Sequence, residues 1–130
     1  MKKILFSFIL LSITFVEVLA QKTNTVNVSD FKKLMEQTPN KIVLDVRTDS
    51  EVAAGVLPQA VQIDFYSNNF EQQIAKLDKN KALFVYCAVG GRSGNACQIL
   101  ATKGFKKVYN LAGGINAWRA AGNPTTAIKK

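Results

Sequence analysis

The feature that most constrains this chain is alternation. Short apolar runs with the length of buried strands are separated, one after another, by segments with helical spacing. Residues 26–28, 42–46, 61–63, 82–86 and 108–111 read as strands, and 82–86 is the clearest interior one. Ser29 is placed to cap a helix whose apolar face is Phe31, Leu34 and Met35, and Pro39-Asn40 breaks it. Thr48-Asp49-Ser50-Glu51 has the spacing of a capping box, so a short helix starts there and ends by Gly55. Phe70, Ile74 and Leu77 share a helical face. A further helix from about 93 to 103 stops at Gly104, and a last short one surrounds Trp118 behind Ala112-Gly113-Gly114. Strands that alternate with helices predict an α/β domain with a largely parallel sheet. The chain has 130 residues, enough for one such domain, and no repeat or internal linker divides it.

The first twenty residues read as an address. Lys2 and Lys3 are followed by an almost uninterrupted apolar run over 4–16 and then by Val18-Leu19-Ala20, the small-x-small pattern of a signal-peptidase site. The run is shorter than the ~18 residues of a membrane-spanning helix. The expectation is a signal peptide over 1–20 cleaved after Ala20, an exported, periplasmic domain over 21–130, and no membrane insertion after cleavage.

Residue usage excludes several chemistries. The chain has no histidine, so it has neither a His base nor a His metal ligand, and its two cysteines are too few for a structural zinc site. No metal and no cofactor are expected. The net charge of +8 comes from scattered lysines without a basic run or interleaved aromatics, which argues against a nucleic-acid partner and for a solvated surface with some attraction for small anions.

Cys87 stands out by position. Ligands of open α/β sheets bind beyond the carboxyl ends of strands, where a loop leads into a helix. Cys87 follows the strand that ends at Tyr86, and Cys87-Ala88-Val89-Gly90-Gly91-Arg92-Ser93 leads into a helix. Gly90 and Gly91 make positive φ available, so that backbone N–H groups curl inward as an anion nest. A helix starting near Ser93 adds its unpaired N–H groups, and Arg92 adds a permanent charge. Together these favour the thiolate, which in a free cysteine forms only near pH 8.5 or about that. Cys97 lies inside the helix beside Ala96 and Leu100 and reads as a core residue; a disulfide with Cys87 is the alternative.

The residues also carry a resemblance. Leu44-Asp45-Val46-Arg47-Thr48 through Gly55, Pro58 and Ala60, then Tyr86-Cys87 to Ser93, Gly104-Phe105, and Asn110-Leu111-Ala112-Gly113-Gly114-Ile115 with Trp118 are similar to a single-domain rhodanese of the exported bacterial type. That family's His-x-Pro-Gly-Ala pattern is Val56-Leu57-Pro58-Gln59-Ala60 here. The resemblance implies a five-stranded parallel sheet flanked by helices on both faces. It also implies a sulfurtransferase that moves sulfane sulfur from thiosulfate or a similar donor to a thiol or cyanide through a persulfide on Cys87. In that reading Ala88, Val89, Gly90, Gly91, Arg92 and Ser93 bind the donor, and Asp45 and Arg47 support the site. Two rivals stand beside it. A non-catalytic sulfur carrier or partner-binding module would need the same loop. A cysteine phosphatase or arsenate reductase would need five residues between nucleophile and arginine, and Cys87 and Arg92 are separated by four, Ala88 to Gly91.

Overall fold

The computed structural model describes residues 23–129, so the expected signal peptide and its cleavage site lie outside the described residues. Strands β1 (Thr23–Val26), β2 (Lys41–Asp45), β3 (Ala60–Gln62), β4 (Ala82–Tyr86) and β5 (Val108–Leu111) form one sheet in the order β1-β5-β4-β2-β3, with every neighbouring pair parallel. Helices α1 (Val28–Gln37), α2 (Asp49–Val52), α3 (Phe70–Ile74), α4 (Gly91–Thr102) and α5 (Gly114–Ala120) connect or follow them.

The period-two rule of strands divides the core. From β4, Leu83 and Val85 point to the face covered by α3 and α4, where they meet Phe70, Ile74, Ala96, Cys97 and Leu100. Ala82, Phe84 and Tyr86 point to the opposite face and meet Phe31, Met35, Ile115 and Trp118 from α1 and α5. β4 is buried at every position because both faces are covered, which is why its sequence is apolar without alternation.

The order of the strands positions the site. The chain leaves β2 toward β3 on one side and leaves β4 toward β5 on the other, so the two connections diverge between β2 and β4. That divergence marks the carboxyl ends of the two strands as the place where open α/β sheets bind ligands. The register sets Asp45 opposite Tyr86, so the segments that follow, with α2 on one and Cys87 on the other, start side by side.

Three local expectations are corrected. The first strand covers 23–26 rather than 26–28, because pairing with β5 runs from Thr23↔Val108 to Val26↔Leu111. The cap of α1 is Asn27 rather than Ser29, since the Asn27 side chain accepts from the Asp30 N–H at 2.8 Å. Helix α4 begins at Gly91, two residues earlier than expected, because Gly90 takes the left-handed conformation (φ 106°) just before it. A further point concerns Gly91, which does not use positive φ.

Candidate active site

Cys87 is the first residue after β4, and the turn that follows wraps its sulfur. The Gly90 N–H donates to Cys87 Sγ at 3.1 Å and the Ser93 hydroxyl donates to it at 3.2 Å. The left-handed Gly90 brings its own amide round to the sulfur. A side chain at Gly90 would be strained by that φ, and its Cβ would lie 3.4 Å from the Leu111 carbonyl oxygen. Asn110, on β5, fixes the same turn from below by donating to the Gly90 carbonyl at 3.3 Å, with a second bond to Thr25 Oγ1.

The other side of the loop is held by α5. The Ile115 and Asn116 N–H groups donate to the carbonyls of Cys87 and Ala88 at 2.9 and 3.2 Å. This close approach requires Gly114, whose φ is +58°; a Cβ there would sit 2.5 Å from the Cys87 carbonyl oxygen. The Ala112-Gly113-Gly114 turn is thus a buttress for the loop that follows Cys87.

Electrostatics follow from this geometry. Burial of Cys87, which is only 1% exposed, works against ionisation. Hydrogen bonds from the Ser93 hydroxyl and from the amides of Ser93, Gly90 and Val89 outweigh it, and the thiol is held below its ordinary range. Cys97 is the opposite case. Burial, with a smaller contribution from the Cys87 charge, pushes its thiol up to about 12. Both cysteines are free thiols, so the alternative of a Cys87–Cys97 disulfide is not realised.

Arg92 does not stand free beside the sulfur. Its guanidinium grips the Glu51 carboxylate with both terminal nitrogens, NH1 to Oε1 at 2.7 Å and NH2 to Oε2 at 2.8 Å. Its carbon lies 5.6 Å from the centre of the Tyr66 ring. The thiolate is therefore stabilised by amides and a hydroxyl, with the Arg92 charge answered by a carboxylate. Ala88 and Val89 bring no polar side chain; Val89 is two-thirds exposed.

Asp45 and Arg47 form a buried pair one layer away. Arg47 NH2 meets Asp45 Oδ2 at 2.8 Å and the Gly55 carbonyl at 2.8 Å, while NH1 reaches the Glu51 carbonyl at 3.4 Å. Burial opposes the Arg47 charge, and Asp45 more than offsets that, holding the guanidinium cationic. The pair fastens α2 to the end of β2. Its hydrogen bonds go to α2 and the residues around it and not to Cys87, and α2 carries Glu51.

Glu51 and Asn110 were missed as site residues by the reading of the sequence. Glu51 is identified there only as the fourth residue of a capping box, a role it does fill by accepting from the Thr48 N–H at 3.3 Å. The signal that finds it is its place on the segment after β2 once β2 and β4 are known to be neighbours. A cavity of about 790 Å³ between α2, β3 and residues 126–129 is lined by none of residues 87–93. No group of three or more His, Cys, Asp or Glu that could hold a metal ion is found among the described residues.

Comparison with known proteins gives a consistent result. The model of the rhodanese-like domain matches residues 27–121. A sulfurtransferase of Allochromatium vinosum is 31% identical over 104 residues, which cover 80% of this chain and 95% of that protein. A putative sulfurtransferase of Bacillus subtilis is 36% identical over 99 residues, covering 76% and 93%. The crystal structure of a rhodanese-related protein from Thermoplasma volcanium has a TM-score of 0.70 to this chain at 27% identity, covering 81% of this chain and 99% of that one.

Proposed function

From the membership of this chain in the rhodanese-like domain family, we propose that it is a sulfurtransferase whose Cys87 carries sulfane sulfur as a persulfide. The observation that supports this best is the donor set around the sulfur: one hydroxyl and several amides converge on a single buried atom at the end of β4. Such a ring suits one added sulfur, whose charge the same amides accept.

The reaction balances without a cofactor. The Cys87 thiolate attacks the outer sulfur of thiosulfate, a sulfur–sulfur bond forms, and sulfite leaves with the electron pair of the broken bond. A thiophilic acceptor, a thiol or cyanide, then attacks the outer sulfur of the persulfide and Cys87 leaves as thiolate. Pre-aimed amides contribute because they need no reorganisation when the charge moves onto the outer sulfur. Residues 1–20 are read in the same proposal as an export signal that is absent from the working protein.

Intact-mass spectrometry of the purified protein after thiosulfate treatment tests both parts. The expected spectrum shows a chain starting at Gln21 with one added sulfur, removed by cyanide with release of thiocyanate. Cys87→Ser abolishes the adduct and the turnover. Cys97→Ala keeps both and costs about 1 kcal/mol of stability through a lost core contact. A folded protein that never acquires the adduct would sink the proposal, and an adduct without turnover would mark a sulfur carrier.

A further inference from the structure

We infer that Glu51 is a specificity-determining residue of the Cys87 site: by gripping Arg92 it withdraws the loop's cation from incoming ligands, so that the site disfavours doubly charged anions. The consequence for catalysis rests on the sulfurtransferase reading. The charge compensation itself rests on geometry alone.

Two guanidiniums lie near the carboxyl ends of β2 and β4, and each is matched by a carboxylate. Arg47 is buried against Asp45, and Arg92 is forked onto Glu51. A forked pair consumes the two nitrogens with which arginine would grip an oxyanion. Glu51 cannot easily turn away, because the Thr48 hydroxyl donates to the same carboxylate oxygen at 3.0 Å and Arg47 holds the Glu51 carbonyl. Tyr66 lies against the guanidinium. The amides that remain attractive to anions already face Cys87 Sγ. A dianion such as thiosulfate thus meets a thiolate with no uncompensated cation from either segment. Donors with less charge, and with an organic group to set against the exposed Val89 and Tyr66, encounter no such repulsion.

Glu51→Gln preserves size and helix capping and frees the Arg92 charge; Glu51→Asp keeps the charge and spoils the fork. At low salt Glu51→Gln is expected to raise kcat/KM for thiosulfate about fivefold, chiefly through KM, and the gain should fade near about 0.5 M salt. An independent reading is the ratio of Cys87 alkylation by anionic iodoacetate to that by neutral iodoacetamide, which cancels the thiolate fraction. Glu51→Gln should raise this ratio by a similar factor, and Glu51→Asp should leave it near that of the unmodified protein. An unchanged ratio in folded Glu51→Gln, equal behaviour of the two variants, or no reaction of Cys87 with either reagent would overturn the inference. Absence of any persulfide in all three proteins would defeat the sulfurtransferase reading instead, leaving the alkylation ratio to decide the role of Glu51.

Discussion

Burial alone would keep the proton on Cys87, and what reverses this is a set of donors that differ in how they can be tested. The amides of Val89, Gly90 and Ser93 belong to the backbone, whereas the Ser93 hydroxyl is a single removable group 3.2 Å from the sulfur. Ser93→Ala is therefore expected to move the pH midpoint of Cys87 alkylation upward toward that of an ordinary thiol. Sulfur transfer at neutral pH should fall by about a hundredfold to a thousandfold, as when one donor is lost from a preorganised anion site. An alkylation profile that superimposes on that of the unmodified protein would show that the amides suffice. Cys87 was legible in the sequence because a cysteine between a fully apolar strand and a Gly-Gly turn has few other uses. The partner of Arg92 was not legible, because residues 51 and 92 are brought together only by the pairing of β2 with β4, and a capping box explains Glu51 completely on local grounds.

Among the elements, α5 shapes the Cys87 loop as much as α4 does. Gly91 and Gly114 look equivalent in sequence, each a glycine at the start of a helix, yet their surroundings differ. Gly91 has ordinary φ and open space where a Cβ would be, while Gly114 is left-handed and pressed against the Cys87 and Ala88 backbone. Gly91→Ala should leave stability unchanged or raise it by up to about 0.5–1 kcal/mol, since it only removes freedom from the unfolded chain. Gly114→Ala should cost about 2–3 kcal/mol, because strain and overlap add, and should impair persulfide formation by displacing the loop. Denaturant midpoints for the two variants check the contrast; equal midpoints would mean that the loop and α5 can part freely. The expectation that both Gly90 and Gly91 turn the chain was half correct for a physical reason. One left-handed residue suffices to bring an amide back to the sulfur, and the helix then begins at once. The strand at 82–86 was legible to the residue because burial on both faces leaves an unbroken apolar signature, which the edge strand β1, with exposed Thr23 and Asn24, lacks.

For the whole molecule, the Glu51–Arg92 clamp joins the segment after β2 to the segment after β4, so its protonation is felt as stability. The Glu51 carboxyl is lowered from its ordinary value of 4.5 to about 2, first by the hydrogen bonds of Arg92 and against the opposing effect of burial. A carboxyl depressed by folding stabilises the protein fully above its unfolded value, and that contribution is lost as the pH falls through the folded one. Stability should therefore decline between pH 4.5 and about 2, and Glu51→Gln should flatten the profile in that window while leaving it parallel above. Thermal melts of the two proteins across that range make the comparison; identical slopes would mean that other carboxyls dominate acid unfolding.

All five strands point the same way, and this gives the molecule a front and a back. Thr23 opens β1 at one pole and Cys87 closes β4 at the other. A bead, surface or fusion attached upstream of residue 23 thus holds the domain from behind, with the Cys87 loop at the far end of the sheet. The same attachment made through the loops that follow β2 or β4 would put the support in the path of every arriving molecule. For immobilised assays, biosensors or linked multienzyme arrays, the amino-terminal side is the handle that the topology offers.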